Sequence, residues 1–206
     1  MLSPEAFEAG CQRLGIGQDS LIVVYDNQGI YSSPRAWWMF QAMGHEQVFV
    51  LDGGLPEWEG LGLPTVEALD TEFESGDFKA GFRPEKMVAF DFVASNLATQ
   101  NWLVIDARAA ERFQSLVDEP RAGVRRGNIP QSINLPFAEV LENGKFKSQE
   151  ALADIFEGLA RETRPLVFSC ASGVTACIVL MASELVFSGE KAIFDGSWTE
   201  WALRVD

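Results

Sequence analysis

Histidine is nearly absent from this chain, with His45 its sole example. Cysteine is scarce as well: Cys11, Cys170 and Cys177, with no pair at CxxC spacing. Those two shortages leave no convincing zinc site. Three thiols form no even-numbered disulfide framework, and a reducing, cytoplasmic location suits them. Positive charge is also short. Sixteen Lys and Arg face thirty Asp and Glu, a net charge of −14, which argues against a nucleic-acid partner. Small anionic substrates stay open, because local arginines decide that question. No run of about 20 apolar residues exists, so no membrane-spanning helix is predicted. Met1-Leu2-Ser3-Pro4-Glu5 lacks the basic and apolar stretches of a signal peptide and reads as the entry to a helix. His45 reads as a surface or turn residue.

What is present is enough apolar material for a real core. Hydrophobic residues make up 47% of 206, which excludes wholesale disorder and allows one or two domains. The most informative stretch is Leu166-Val167-Phe168-Ser169-Cys170-Ala171-Ser172-Gly173-Val174-Thr175-Ala176, followed by an apolar helical segment from Cys177 to Val186. A buried strand thus ends on a thiol, a glycine-containing loop follows, and a helix begins at once. Loop amides and a helix N-terminus both stabilise an anion. The thiolate is the reactive form of cysteine, so Cys170 is the candidate nucleophile. Gly173 supplies the loop's turn, and Thr175 is predicted to cap the helix. Cys177, inside that helix, reads as core.

The chain repeats itself. Leu21 to Asp26 reads as a strand and is followed by a loop and a helix, with Ser33 as its cap, Pro34 in its first turn and Gly44 at its end. A second strand, Val48 to Leu51, leads into Asp52-Gly53-Gly54-Leu55-Pro56-Glu57-Trp58. In the C-terminal part, the strand before Cys170 and its helix lead through Ala192-Ile193-Phe194 to Asp195-Gly196-Ser197-Trp198-Thr199-Glu200-Trp201. Asp26 to Asp52 spans 26 residues and Cys170 to Asp195 spans 25. Self-similarity at such spacing is a fold-level signal. Asp26 falls where Cys170 falls in the second copy, so only the second copy looks catalytic.

Upstream of Cys170, Trp102 to Asp106 is an apolar strand, Ser132 to Leu135 a short extended piece, and Ser148 to Ala160 a helix with Leu152, Ile155, Phe156 and Leu159 on one face. Before Asp26 there is one helix, capped by Ser3, with Phe7, Cys11 and Leu14 on one side. Strands alternating with helices predict an α/β fold, a mostly parallel sheet with helices on both faces, in two tandem copies of which the first is incomplete. The predicted boundaries are a partial non-catalytic domain at 1–66, an acidic linker at 67–84 and a catalytic domain at 85–206. An incomplete first sheet leaves an apolar edge that invites a partner chain, so a homo-oligomer is an expectation.

These residues resemble the two-domain rhodanese-like sulfurtransferases. Cys170-Ala171-Ser172-Gly173-Val174-Thr175-Ala176-Cys177 resembles the C-G-S-G-V-T-A-C loop of the 3-mercaptopyruvate members. Asp106-Ala107-Arg108, Glu111-Arg112-Phe113, Glu119-Pro120-Arg121, Gly127-Asn128-Ile129-Pro130 and Asn134-Leu135-Pro136 match the opening of the catalytic domain. Asp195 to Trp201 matches its C-terminal signature, and Arg35-Ala36-Trp37-Trp38 with Asp52-Gly53-Gly54 matches the inactive domain. Ala171 stands for a usual glycine, Asn128 for a frequent histidine and Gln131 for a frequent glycine. The aspartate of the Cys-Ser-Asp set proposed for mercaptopyruvate members has no counterpart here.

The resemblance implies a sulfurtransferase that uses no cofactor and no metal. Cys170 attacks a sulfur donor and becomes a persulfide. The amides of Ala171, Gly173, Val174 and Thr175 hold the negative sulfur, and Ser172 hydrogen-bonds it or passes a proton. Arg112 and Arg121 grip the donor's carboxylate and carbonyl, because a guanidinium fork matches a carboxylate. Arg108, nearer the strand end, reads as a structural ion pair, and Trp198 and Trp201 as packing. The acceptor would be a small thiol or a thioredoxin-like protein, with cyanide its assay substitute. Loop charge favours 3-mercaptopyruvate, since thiosulfate is a dianion and Ala171 and Ser172 are neutral. Two other readings remain: a thiosulfate sulfurtransferase, and an inactive sulfur-binding or interaction module. Cysteine phosphatase chemistry is disfavoured, because Ala176 stands where such a loop would carry its closing arginine.

Overall fold

The structure is a computed structural model that describes residues 1–68, 72–160 and 162–205. The chain divides into two compact units, Met1–Pro84 and Glu85–Asp206.

In the first unit, α1 (Pro4–Arg13) starts where Ser3 accepts a hydrogen bond from the Ala6 amide, and proline occupies its first turn. β1 (Ile22–Val24), α2 (Ser33–Ala42), β2 (Val48–Val50) and α3 (Gly54–Gly60) follow. β1 and β2 pair in parallel, Ile22 beside Val48 and Val24 beside Val50. The core gathers Phe7, Cys11, Met43 and Phe78, with Phe7 edge-on to Phe40 and Phe78. Burial pushes the Cys11 thiol up to about 11, so it stays protonated.

Phe78 lies in the stretch expected to be a linker. Its second half is instead a strap on the first unit. The amides of Gly76 and Phe78 donate to the carbonyls of Gln12 and Ile16, and those of Gly81 and Arg83 to Met43 and Ala42. The strap answers carbonyls left over at the ends of α1 and α2 and seals the core with one phenyl ring. The boundary therefore falls at Pro84, and the three residues 69–71 of the expected linker lie outside the described residues. His45 also differs from expectation. It is buried, its Nε2 lies 2.9 Å from the Ser20 carbonyl, and its ring packs between Phe40 and Phe78.

The second unit runs β3 (Met87–Val88), α4 (Phe90–Thr99), β4 (Leu103–Asp106), α5 (Ala110–Phe113), β5 (Ile133–Asn134), β6 (Leu141–Glu142), β7 (Lys145–Phe146), α6 (Gln149–Ala160), β8 (Leu166–Ser169), α7 (Ala176–Glu184), β9 (Lys191–Phe194) and α8 (Ser197–Arg204). Five strands form one parallel sheet in the order β3-β9-β8-β4-β5, and β6 and β7 make a separate antiparallel hairpin. Every residue of β4, β8 and β9 is buried, as a parallel sheet covered on both faces requires. On one face Val104, Val167 and Phe194 meet Val93 of α4 and Trp198 and Trp201 of α8. Alternate residues point the other way, where α7 packs on β8 and β9, with α6 against α7. No helix among the described residues is long and apolar enough to cross a membrane.

Candidate active site

Cys170 is the first residue beyond β8, at the C-terminal edge of the parallel sheet, where ligands of such folds collect. The Gly173 amide donates to its Sγ at 3.1 Å. Gly173 has φ +78°, a left-handed conformation that a side chain disfavours, so glycine is what lets the loop turn its N–H back onto the sulfur. The Cys177 thiol donates to the Gly173 carbonyl at 3.2 Å from inside α7, so the loop is fastened on both sides of Gly173. Cys170 as a whole is only 1% exposed, which puts its sulfur inside the loop and not on its surface.

The loop is also held from β9 and α8. Ser197 Oγ accepts from the Cys170 amide at 3.1 Å and donates to the Phe194 carbonyl at 2.8 Å. The amides of Trp198 and Thr199 donate to the carbonyls of Cys170 and Ala171, each at 3.0 Å. The first turn of α8 thus spends its spare donors on the loop. Ser197, with φ +51°, went unnoticed in the sequence beyond its membership of the Asp195–Trp201 motif. Trp198 packs as expected: it is buried, with Arg108 and Arg125 over its ring at 4.9 and 5.1 Å.

The other expected loop residues fall as follows. Ser172 is exposed, and its hydroxyl makes no hydrogen bond among the described residues. Ala171 does not have a positive φ, so its methyl group adds no backbone strain. The Val174 carbonyl accepts from the Cys177 amide at 3.1 Å. Thr175 does not cap α7 with its side chain, because its own φ and ψ (−71°, −18°) are already helical and turn the hydroxyl away from the cap position. Ser33 likewise lies inside α2, after Ser32, and gives its hydroxyl to Asp26 instead.

The arginine-bearing loop leaves the same sheet edge, since the Ala107 amide donates to the Ser169 carbonyl at 2.8 Å. Asn134 of β5 fastens its start by donating to the carbonyls of Asp106 and Arg108. Arg108 is fully buried. It binds both oxygens of Asp106, Oε1 of Glu119 at 2.7 Å and the Gly127 carbonyl. Burial pushes the Asp106 carboxyl up, against the pull of Arg108. Arg112, expected to bind substrate, is paired with Glu119 through Nε and Nη2. Arg121 is exposed and makes no ion pair or side-chain hydrogen bond among the described residues. Glu119 was legible only as part of the Glu-Pro-Arg match, and its bridging role was not foreseen. Asn128 donates to the Phe113 carbonyl at 3.0 Å, and Gln131 takes φ +65°, the conformation a glycine would adopt without strain. No group of three or more metal-ligating side chains occurs among the described residues.

The profile of the rhodanese-like domain matches residues 3–61 and 90–204. The chain is 40% identical over 204 residues to the 3-mercaptopyruvate sulfurtransferase of Escherichia coli (strain K12), covering 98% of this chain and 72% of that protein. It is 38% identical over 209 residues to the thiosulfate sulfurtransferase of Gallus gallus, covering 99% and 71%. Among solved structures, the crystal structure of a 3-mercaptopyruvate sulfotransferase from Escherichia coli superposes with a TM-score of 0.84 at 37% identity, covering 96% of this chain and 74% of that one.

Proposed function

The chain belongs to the rhodanese-like family and is a sulfurtransferase, and from that premise we propose that it moves sulfur from 3-mercaptopyruvate to a thiol through a persulfide on Cys170. The observation that carries the reading is the Gly173 amide aimed at the Cys170 sulfur. A donor already pointing at the reacting atom stabilises its negative charge without rearrangement.

The Cys170 thiolate attacks the donor sulfur, the donor's C–S bond breaks, and the electron pair leaves as the enolate of pyruvate, which takes up a proton. Ser172, exposed beside the nucleophile, supplies or relays that proton. The acceptor thiolate then attacks the outer sulfur of the persulfide and releases Cys170 as thiolate. Arg112 and Arg121 hold the donor's carboxylate and carbonyl. The neutral pair Ala171 and Ser172 favours this donor over a dianion. Thiosulfate is the second reading, supported by the likeness to a thiosulfate sulfurtransferase and by the exposed charge of Arg121, which has no ion-pair partner among the described residues.

Intact-mass spectrometry after exposure to each donor tests the proposal. The expected result is a gain of one sulfur atom on Cys170, absent in Cys170→Ser, with a higher kcat/KM for 3-mercaptopyruvate than for thiosulfate. A well-folded protein that never acquires the extra sulfur would favour an inactive sulfur-binding module. A higher kcat/KM for thiosulfate would move the donor assignment to the second reading.

A further inference from the structure

The two arginines expected at the substrate are not in equivalent states. Arg121 stands exposed with no charged partner among the described residues. Arg112 is already engaged. Its Nε donates to Glu119 Oε1 at 3.3 Å and its Nη2 to Glu119 Oε2. Glu119 thus covers the side-on edge of the guanidinium. Nη1 makes no hydrogen bond among the described residues, and the Arg112 side chain keeps 23% exposure. The end-on edge, Nη1 with the remaining Nη2 proton, is the one left for a ligand.

Glu119 is suited to hold that orientation because it is itself fixed. Its side chain is 3% exposed, and Oε1 also accepts from Arg108, whose own side chain is fully buried. Arg108 is pinned in turn by both oxygens of Asp106, by the Gly127 carbonyl and by the Trp198 ring. The chain of contacts from the sheet edge to Arg112 has no exposed flexible link before Arg112. The charges of Asp106, Arg108, Glu119 and Arg112 also cancel. Arg112 therefore offers direction more than net charge, and Arg121 offers net charge.

We propose that Glu119 is a positioning residue for Arg112, aiming the guanidinium's free edge at the carboxylate end of the sulfur donor while Arg121 supplies the uncompensated positive charge. The nature of the ligand rests on the sulfurtransferase reading above. The aimed edge matters for a planar carboxylate, which pairs with two parallel N–H bonds, and less for a tetrahedral sulfur oxyanion.

Pyruvate is a suitable probe, since it has the carboxylate and carbonyl but no sulfur to transfer. Calorimetric titration of pyruvate into wild type, Glu119→Gln, Arg112→Ala and the double variant should show affinity falling about tenfold in Glu119→Gln, the loss expected from one misdirected charged hydrogen-bond pair. The double variant should bind no more weakly than Arg112→Ala alone, because the first residue acts through the second. In turnover, Glu119→Gln should lose more kcat/KM with 3-mercaptopyruvate than with thiosulfate, which general damage to the loop would not produce. If Glu119→Gln fails to fold, Glu119→Asp carries the test: it keeps the charge with a shorter reach and should give a smaller loss that also vanishes without Arg112. Unchanged pyruvate affinity in Glu119→Gln, losses that add in the double variant, or no pyruvate binding by wild type would each overturn the proposal. A wild type that binds pyruvate but acquires no persulfide would sink the catalytic reading while the pyruvate data still decide the role of Glu119.

Discussion

The carboxylate of Asp26 accepts five hydrogen bonds among the described residues. The Gln28 amide donates to Oδ1, and the amides of Tyr31, Ser32 and Ser33 together with the Ser33 hydroxyl donate to Oδ2, all at 2.9–3.1 Å. It stands where the second copy has Cys170. The loop of the first copy is thus a built anion cradle filled by the chain's own carboxylate. Burial works against that charge, but the amides of Ser33, Gln28 and Tyr31 and the Ser33 hydroxyl outweigh it and hold the carboxyl below its ordinary range. A group with a lowered folded pKa stabilises the fold above its unfolded value and loses that contribution as pH falls through the folded one. Asp26→Asn turns an amide NH2 toward donors. It should cost about 1 kcal/mol at neutral pH, a figure kept small by partial exposure. Urea midpoints across the acid range check this: the difference from wild type should shrink as pH drops below about 4, and a constant difference would count against the carboxylate's charge as the cause.

Among elements, the junction of β9 and α8 holds the Cys170 loop. Ser197→Ala leaves the Cys170 amide and the Phe194 carbonyl unanswered in a buried place, so a loss of about 1–3 kcal/mol is expected. Sulfur transfer should fall as well, since the same bond holds the first residue of the loop. Thermal melts and donor assays on one preparation check both, and a wild-type-like variant would show the contact to be dispensable. The inner strands β4, β8 and β9 were legible in the sequence because continuous apolar runs such as Leu166–Phe168 announce full burial, whereas the two-residue edge strand β3 was too short to show a pattern. The turn after β8 with its glycine and the Arg108 ion pair were legible too. α4 was not read, and its geometry says why. Asn96 sits on its buried face and clamps the backbone N–H and C=O of Trp102, a polar side chain where an apolar one would have marked the helix. The strap at 76–83 was missed because it has no periodic pattern: one buried ring, Phe78, stands between polar neighbours, and much of the rest of its attachment is made by backbone groups, which leave no trace in residue type. Glu119 was missed for a related reason: its two partners meet it through folding of one loop, at spacings of 11 and 7 residues that fit no regular element.

At the scale of the whole molecule, the two units differ in how well their sheets are covered. In the first, Val23 and Phe49 are each 53% exposed on a two-stranded sheet. In the second, β8 lies between β4 and β9 with every residue buried. Amides of β1 and β2 should therefore exchange with solvent through local openings, while those of β8 and β4 should wait for unfolding of their unit. Native-state hydrogen exchange measures this directly, and equal protection in both sheets would refute the expected order. The units share the rhodanese-like profile, and yet their loops treat negative charge in opposite ways. One socket holds the carboxylate of Asp26, and the other turns an amide onto the sulfur of Cys170. A carboxylate built into the chain cannot leave its socket, so of the two only the thiol under Gly173 can gain and lose its negative charge with a proton.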